Sequence, residues 1–231
     1  MDLPRVTSSS ISRAIFISLL LIQQLTAPAQ QPRKVIAIAP DTIPLLRGIQ
    51  ISADMVGLIQ MAVSDYGQYE AALKVNLKDK YFPVVELGLG KCDATDPSTT
   101  LGYKTSAPYG RIGVDYNLMK NKHDIYRLYG GFRYAFSKFS YDVLSQGITD
   151  PVWREKVPFG ATDVDGSYHW LEGVLSIDAK IWGPVRMGWS VRYKRRLFHK
   201  HGDIGEAWYV PGFGRGGNTR LGGTFNVSIE I

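Results

Sequence analysis

The sequence predicts an all-β protein, an eight-stranded antiparallel up-and-down transmembrane β-barrel. Three observations favour this fold class: a strictly alternating C-terminal segment, similar two-faced segments of about ten residues upstream, and an N-terminal export signal. In the C-terminal segment every second residue from Leu221 to Ile231 is apolar or glycine, while Thr224, Asn226 and Ser228 lie between them. Such alternation gives a strand one apolar face and one polar face.

The N-terminal residues 1–29 have the pattern of a secretory signal peptide. Arg5 and Arg13 supply positive charge, residues 14–25 are mostly apolar, and residues 27–29 read Ala-Pro-Ala, a small-residue cleavage site. The apolar run is shorter than the roughly 20 residues of a membrane-spanning helix, so cleavage is expected rather than anchoring. The proline-punctuated residues 30–46 are interpreted as a periplasmic N-terminal arm, and residues 47–231 as the barrel.

The amino-acid composition also favours a β-barrel over a helical membrane protein or a nucleic-acid-binding protein. Mean hydropathy is −0.10 with 45% hydrophobic residues, and no apolar run after residue 29 is long enough for a transmembrane helix. A barrel has this average because only alternate residues face lipid. The net charge of +6 is spread along the chain and mixed with acids, which argues against nucleic-acid binding. The single cysteine, Cys92, excludes an internal disulfide.

The alternation predicts eight strands, whose connections alternate between short and long except after the first strand, where a short turn is predicted. The predicted strands are approximately residues 48–63, 69–78, 83–91, 109–118, 125–139, 168–181, 185–197 and 221–231. Long loops are predicted at 92–107, 141–166 and 198–218, and because long loops lie outside the cell, both termini are expected in the periplasm. The predicted interfacial aromatic residues are Tyr81, Phe82, Tyr126 and Trp182 at the periplasmic end, and Tyr69, Tyr109, Phe136 and Trp170 at the outer end.

The polar faces of these strands carry charges that need partners, because eight strands enclose only a narrow bore. Folding each hairpin about its turn predicts four facing pairs of opposite charge: Lys74 with Glu86, Asp115 with Arg127, Glu172 with Lys194, and Asp54 with Lys78. The pattern favours an electrostatic core that holds the barrel together. A charged channel or a ligand-binding lumen is the alternative.

Several short motifs suggest chemistry, but each lacks a necessary part. Ser167 and His169 share an outward face, as a lipid A-modifying enzyme would require, but no outward carboxylate is available to orient the histidine. Residues 199–203 (His-Lys-His-Gly-Asp) offer metal ligands without a distant third ligand. Residues 163–166 and 212–217 resemble fragments of a calcium loop and a phosphate loop. The sequence therefore predicts no catalytic residue, metal site or cofactor.

Binding is instead expected in the long loops. The loop 198–218 combines Trp208, Tyr209 and Phe213 with glycines and basic residues, a composition suited to recognition at the cell surface. The predicted function is that of a non-enzymatic outer-membrane barrel, structural or surface-binding, with an unknown extracellular ligand. A lipid A-modifying enzyme and a narrow pore are the functional alternatives. A soluble periplasmic barrel with its two faces reversed is the alternative fold.

The organisation of residues 47–231 resembles the small eight-stranded outer-membrane barrels of the OmpA transmembrane domain and OmpX type. The resemblance is architectural and includes no diagnostic motif. It implies an outer membrane with lipopolysaccharide as the surroundings, and recognition by the barrel-assembly machinery during biogenesis. The chain departs from that family at Ile231, where an aromatic residue is usual.

Overall fold

The structure, a computed structural model, describes residues 44–96, 100–149, 156–200, 202 and 205–231. The predicted signal peptide and most of the predicted N-terminal arm lie outside these residues. The elements are β1 (Leu46–Asp54), α1 (Met55–Val63), β2 (Tyr66–Leu77), β3 (Tyr81–Thr95), β4 (Leu101–Asn117), β5 (Tyr126–Thr149), β6 (Lys156–Trp182), β7 (Val185–Lys200), β8 (Tyr209–Val210), β9 (Gly214–Arg215) and β10 (Thr219–Glu230).

Eight of these strands form a closed barrel in the order β1-β10-β7-β6-β5-β4-β3-β2, and every neighbouring pair is antiparallel. The predicted eight-stranded up-and-down barrel is therefore confirmed. Within the described part of the chain, the two short strands β8 and β9 pair only with each other. None of the helices among the described residues has the length and apolar character needed to cross a membrane.

Side chains alternate between the two surfaces of the barrel wall, as the period of two requires. In β3, Val84 and Glu86 are about 2% exposed, whereas the neighbouring Val85 and Leu87 are 43% and 65% exposed. The same alternation runs around the barrel and makes an outward apolar belt. Representative exposed members are Ile51, Leu73, Ile112, Val114, Phe132, Leu175, Ile177, Trp189, Val191 and Ile229.

Aromatic residues border this belt, although three predicted members are elsewhere. Tyr81, Tyr126 and Trp182 are exposed at the end of the short turns, and Tyr69, Phe136 and Tyr193 are exposed at the other end. The prediction was wrong for Phe82, Tyr109 and Trp170, which are at most 2% exposed and lie inside the barrel. Each of them occupies an inward position of its strand, where its ring fills the bore.

The predicted first strand, residues 48–63, was wrong beyond Asp54, where α1 begins. The Asp54 carboxylate accepts hydrogen bonds from the backbone N–H groups of Val56 and Gly57, at 3.1 and 3.2 Å, and so caps the helix. Gly57 is buried, and a Cβ there would lie 2.5 Å from the carbonyl oxygen of Gln68. The helix can therefore lie directly against β2.

The first two predicted long loops, 92–107 and 141–166, are largely strand. β3 and β4 continue to Thr95 and Leu101, and β5 and β6 contain 24 and 27 residues. These extensions make a projecting sheet at the upper end of the barrel, defined here as the end away from the short turns 78–80 and 183–184. Hydrogen-bonded extension of the hairpins gives the backbone groups of these segments partners that a loop would lack.

The third predicted loop folds back into the barrel. Residues 205–218, called the plug below, include the β8–β9 hairpin. Phe213 packs edge-on against Trp170, with ring centroids 5.7 Å apart, and Tyr209 donates a hydrogen bond to the carbonyl oxygen of Gly67. The plug therefore closes the upper end of the bore with aromatic side chains.

Candidate functional site

The middle of the bore is filled by an ion-pair cluster centred on Glu86. Its carboxylate accepts hydrogen bonds from Arg111, Arg133 and Arg192, at 3.1, 3.1 and 2.6 Å. All four side chains are at most 5% exposed. Since buried charges are stable only when paired, this geometry makes the cluster a structural core.

Three further carboxylates complete the cluster. Glu70 pairs with Arg111 and lies 3.1 Å from Arg192, while Glu172 Oε1 lies 2.9 Å from Arg111 Nε. Asp115 lies 2.9 Å from Lys74 and 2.7 Å from Arg133, which it shares with Glu86. The charges are thus distributed among several partners rather than in isolated pairs.

A second cluster closes the lower end of the bore around Asp79, in the turn between β2 and β3. This carboxylate accepts hydrogen bonds from Asn76 and Arg127, at 2.7 and 3.1 Å, contacts His123 Nδ1 at 2.7 Å and also pairs with Arg47. Burial alone would raise the pKa of Asp79, but these hydrogen bonds and the positive charges of Arg127 and Arg47 outweigh burial and lower the pKa.

The structure places most of the predicted interior charges inside the barrel. Asp54, Glu86, Asp115, Arg127, Glu172 and Lys194 are buried, and Lys74 is partly buried. The prediction for Lys78 was wrong, because this residue lies in the β2–β3 turn with a φ of 53° and is exposed. Its predicted partner, Asp54, instead caps α1 and lies opposite Asn226 of β10.

Of the four predicted facing pairs, only Glu172 and Lys194 are opposite each other in the strand register. Glu86 lies opposite Ala72, and Asp115 lies opposite Gly131, so the pairs with Lys74 and Arg127 were wrong. The two hairpins turn about Asp79 and His123, which are different centres from those predicted. An error of one or two positions in the turn centre moves the partner by twice as many residues.

The prediction of surface binding residues in the loop 198–218 was wrong for two of the three. Tyr209 and Phe213 are 3% and 2% exposed inside the bore, so they are not available at the surface. Trp208 is 42% exposed, and its ring lies 5.1 Å from the guanidinium carbon of Arg215. The aromatic composition of this segment reflects its packing inside the barrel more than recognition at the surface.

The wall of the barrel is interrupted on one side at its upper end. β1 pairs with β10 up to Asn226 and with β2 up to Ala71, and it ends there. Above this point no strand in the described part of the chain joins β2 to β10, and α1 contacts both. The interruption, called the seam gap below, is thus covered by a helix rather than filled by a strand.

A cleft of about 900 Å³ lies beneath α1 at the seam gap. Its lining includes residues of α1, β7, β10 and the plug. Five cationic side chains line it and no carboxylate does. These cations are Arg111, Arg192, Lys194, Arg215 and Arg220. The cleft therefore combines positive charge with access to the interior of the barrel.

The structure describes part of the motifs considered for catalysis and metal binding. His169 Nδ1 lies 2.7 Å from the Tyr134 hydroxyl, and the His169 ring lies 4.6 Å from that of Phe198. No group of three or more His, Cys, Asp or Glu side chains within the described ranges could hold a metal ion. His201 and Asp203 of the 199–203 motif lie outside the described residues.

The cleft has no signature in the sequence, because its components are far apart in the chain. Arg215 and Arg220 stood in a segment interpreted as a surface loop and the start of the last strand, and α1 was interpreted as strand. Two signals were available: Asp54 is a favourable helix N-cap residue, and the apolar Val56 and Leu58 break the alternation of the strand immediately after it.

The chain belongs to the family described as domain of unknown function (DUF6048), whose model matches residues 11–231. A crystal structure of a major outer membrane protein from Thermus thermophilus is similar to this chain, with a TM-score of 0.40 and 13% sequence identity. That similarity covers 80% of this chain and 98% of the other. At this TM-score it assigns neither fold nor function. No curated protein matches the sequence.

Proposed function

We propose that this member of the DUF6048 family is a non-enzymatic, non-conducting barrel of an outer membrane that offers its projecting sheet as a binding surface. The observation that carries the proposal is the exposed apolar belt around a bore filled with ion pairs. A soluble barrel would place its apolar face inside and its charges in water. The arrangement here is the one that a hydrocarbon environment favours.

The height of the belt supports a membrane location. On β3 it runs from Tyr81 to Leu89, and on β7 from Val185 to Tyr193, with apolar side chains at alternate outward positions. These lengths correspond to the roughly 9–11 residues with which a tilted strand crosses a bilayer. Both termini of the described barrel lie at the end of the short turns, the end that faces the periplasm in outer-membrane barrels.

The filling of the bore with ion pairs supports the proposed absence of conduction. The cluster around Glu86 and the cluster around Asp79 occupy successive levels, and two cavities between the strands have volumes of only about 40 Å³ each. The plug covers the upper level, where Tyr103 donates a hydrogen bond to the carbonyl oxygen of Tyr209. A narrow pore, the alternative function, would have to break several of these contacts at once.

The projecting sheet supports a role in binding. β5 and β6 remain paired from Tyr141 and Val164 up to Thr149 and Lys156, well above the upper aromatic residues. Among the described residues, β7 pairs with β6 from Ser167 downwards, so residues 156–163 of β6 pair with β5 on one side and with no described strand on the other. An exposed edge can accept a further strand from a partner through backbone hydrogen bonds.

Cysteine labelling tests the proposed topology, because the single native cysteine, Cys92, is fully buried. Thr162 is exposed on the projecting sheet and Asn121 is exposed in a short turn at the other end. A membrane-impermeant maleimide should label Thr162→Cys in intact cells, and Asn121→Cys only after the outer membrane is permeabilised. Labelling in the opposite order would overturn the proposed orientation.

Planar-bilayer recording tests the proposed absence of conduction. The purified full-length protein should give no discrete conductance steps, whereas a variant in which a short linker replaces residues 206–217 should conduct more. Steady conductance by the unchanged protein would favour the pore. A change in lipid A composition caused by His169→Ala, with the barrel still folded, would favour the enzyme.

A further inference from the structure

The cleft beneath α1 has features that the electrostatic core and the projecting sheet do not explain. We propose that it binds an anionic lipid, with a phosphate head group among the cations of the cleft and an acyl chain at the seam gap. The lipid would enter sideways from the outer leaflet. This inference rests on the membrane location proposed above, but not on the binding role of the projecting sheet.

The positive charges of the cleft are only partly balanced by carboxylates. Arg111 and Arg192 are already neutralised from within the barrel by Glu70 and Glu86. The other three cations of the cleft, Lys194, Arg215 and Arg220, have no carboxylate within 4.0 Å among the residues that the structure describes. The cleft therefore has positive charge that the described protein does not balance at contact distance.

The unbalanced positive charge is energetically unfavourable at Lys194, because this side chain is buried. Its side chain is 7% exposed, and Nζ donates hydrogen bonds to the carbonyl oxygens of Gly212 and Phe213, at 2.6 and 3.3 Å. Glu172 lies opposite in the strand register but beyond ion-pair distance. Burying an ammonium group without a counter-ion in contact is unfavourable, and an anion in the cleft would supply that counter-ion.

The two arginines at the mouth of the cleft suit a phosphate group. Arg220 donates hydrogen bonds from Nε and Nη2 to the carbonyl oxygens of Arg215 and Gly216. These bonds fix its position at the edge of the plug. The guanidinium of Arg215 lies 5.7 Å from the centre of the Tyr66 ring and 5.1 Å from that of Trp208. Arginines held in this way bind oxyanions with less loss of side-chain entropy than free ones.

The same cleft has an apolar lip. Ile59 and Val63 of α1 are 60% and 78% exposed, and Leu221 of β10 is 75% exposed. All three line the cleft, and Leu221 lies opposite Tyr193, which belongs to the upper aromatic row. A free phosphate would gain nothing from this lip, whereas an acyl chain would bury it next to a head group at interfacial height.

The test uses the full-length folded protein in dodecyl maltoside, with monododecyl phosphate as the probe. Binding can be followed by native mass spectrometry and by the thermal midpoint of the folded gel band. We expect binding to the unchanged protein, and an affinity lower by roughly tenfold or more in the double variant Arg215→Gln/Arg220→Gln, which loses two charged hydrogen-bond donors. Ile59→Glu, which places a negative charge at the lip, should also weaken binding.

Lys138→Gln is the matched control, since Lys138 is an exposed cation on β5 outside the cleft and its loss should leave binding unchanged. The heat-dependent gel shift confirms that each variant is folded. Equal affinity in the unchanged protein and the double variant would overturn the site. Inorganic phosphate competing as well as the alkyl phosphate would overturn the lipid, and so would equal binding of an uncharged alkyl compound. A protein that shows the predicted cysteine labelling but fails these tests loses only the lipid site.

Discussion

The Asp54 carboxylate accepts a hydrogen bond of 3.3 Å from the backbone N–H of Phe225, at the level where the wall of the barrel changes from strand to helix. The same carboxylate caps α1 through Val56 and Gly57. One side chain therefore ends β1, begins α1 and gives the edge of β10 a partner where β1 no longer pairs with it. The position of the seam gap depends on this residue.

Asp54→Ala should destabilise the barrel, because it removes the helix cap and leaves three backbone N–H groups without their acceptor. The loss of an N-cap costs about 0.5–2 kcal/mol, and we expect the upper half of that range. The measurement is the urea midpoint at which the folded gel band disappears. Asp65→Ala is the control, since Asp65 is exposed at the other end of α1. Equal midpoints for the two variants would contradict this role.

The faces of the strands could be predicted from the sequence because the orientation of each side chain follows from its position in its own strand. Glu86, Asp115 and Glu172 were therefore assigned correctly to the interior, even though the partners of Glu86 and Asp115 were wrong. The partner depends on the turn centre, which the sequence defines less sharply. The Glu172–Lys194 hairpin was predicted correctly because Gly183, with a φ of 52°, marks its turn.

The cleft could not be predicted, because it depends on how distant segments pack. Inward aromatic residues such as Tyr103 and Tyr141 lie in segments interpreted as loops, and they stack with ring centroids 5.3 Å apart beside the plug. Nothing in the local composition distinguishes an aromatic residue in a surface loop from one in a plug. For the same reason, Tyr209 and Phe213 were wrongly predicted to lie at the surface.

Glu86→Gln should be among the most destabilising single changes in the bore. It removes one charge shared by Arg111, Arg133 and Arg192, and leaves these buried guanidinium groups with fewer counter-charges. Breaking a buried ion pair in this way costs about 3–5 kcal/mol of unfolding free energy. We expect a loss at the lower end of this range, because Glu70, Asp115 and Glu172 remain as counter-charges for the arginines. The urea midpoint at which the folded gel band disappears measures this loss.

The matched control for Glu86→Gln is Asp93→Asn. Asp93 lies 3.1 Å from Lys104, but these side chains are 59% and 62% exposed, so the pair is solvated. Exposed pairs contribute about 0–1 kcal/mol, and the control should unfold almost as the unchanged protein does. A Glu86→Gln midpoint no lower than that of Asp93→Asn would show that the cluster does not hold the barrel together.

Gly212→Ala should dislodge the plug. Gly212 has a φ of 80°, and an added Cβ would lie 2.5 Å from Cγ of the buried Tyr109 ring. Both the backbone conformation and the space therefore exclude a side chain. We expect faster proteolytic cleavage within the plug, with the barrel otherwise folded. Gly173→Ala is the control, because no atom lies within 4 Å of a Cβ at Gly173. Equal cleavage rates in both variants would contradict the tight seating of the plug.

Stability should depend on pH through Asp79 at the lower end of the barrel. Its pKa is raised by burial but lowered more strongly by hydrogen bonds from His123 and Asn76 and by the charges of Arg127 and Arg47, so the net shift is downwards from 3.8. A carboxyl whose pKa is lowered by folding stabilises the folded state above its unfolded pKa, and that contribution disappears as pH falls through the folded value.

Asp79→Asn removes the charge and keeps a side chain that tolerates the φ of 54°. The unchanged protein should therefore have the higher urea midpoint at pH 7, and its advantage should shrink below the unfolded pKa of 3.8. A constant difference for Asp79→Asn down to about pH 2 would contradict the linkage.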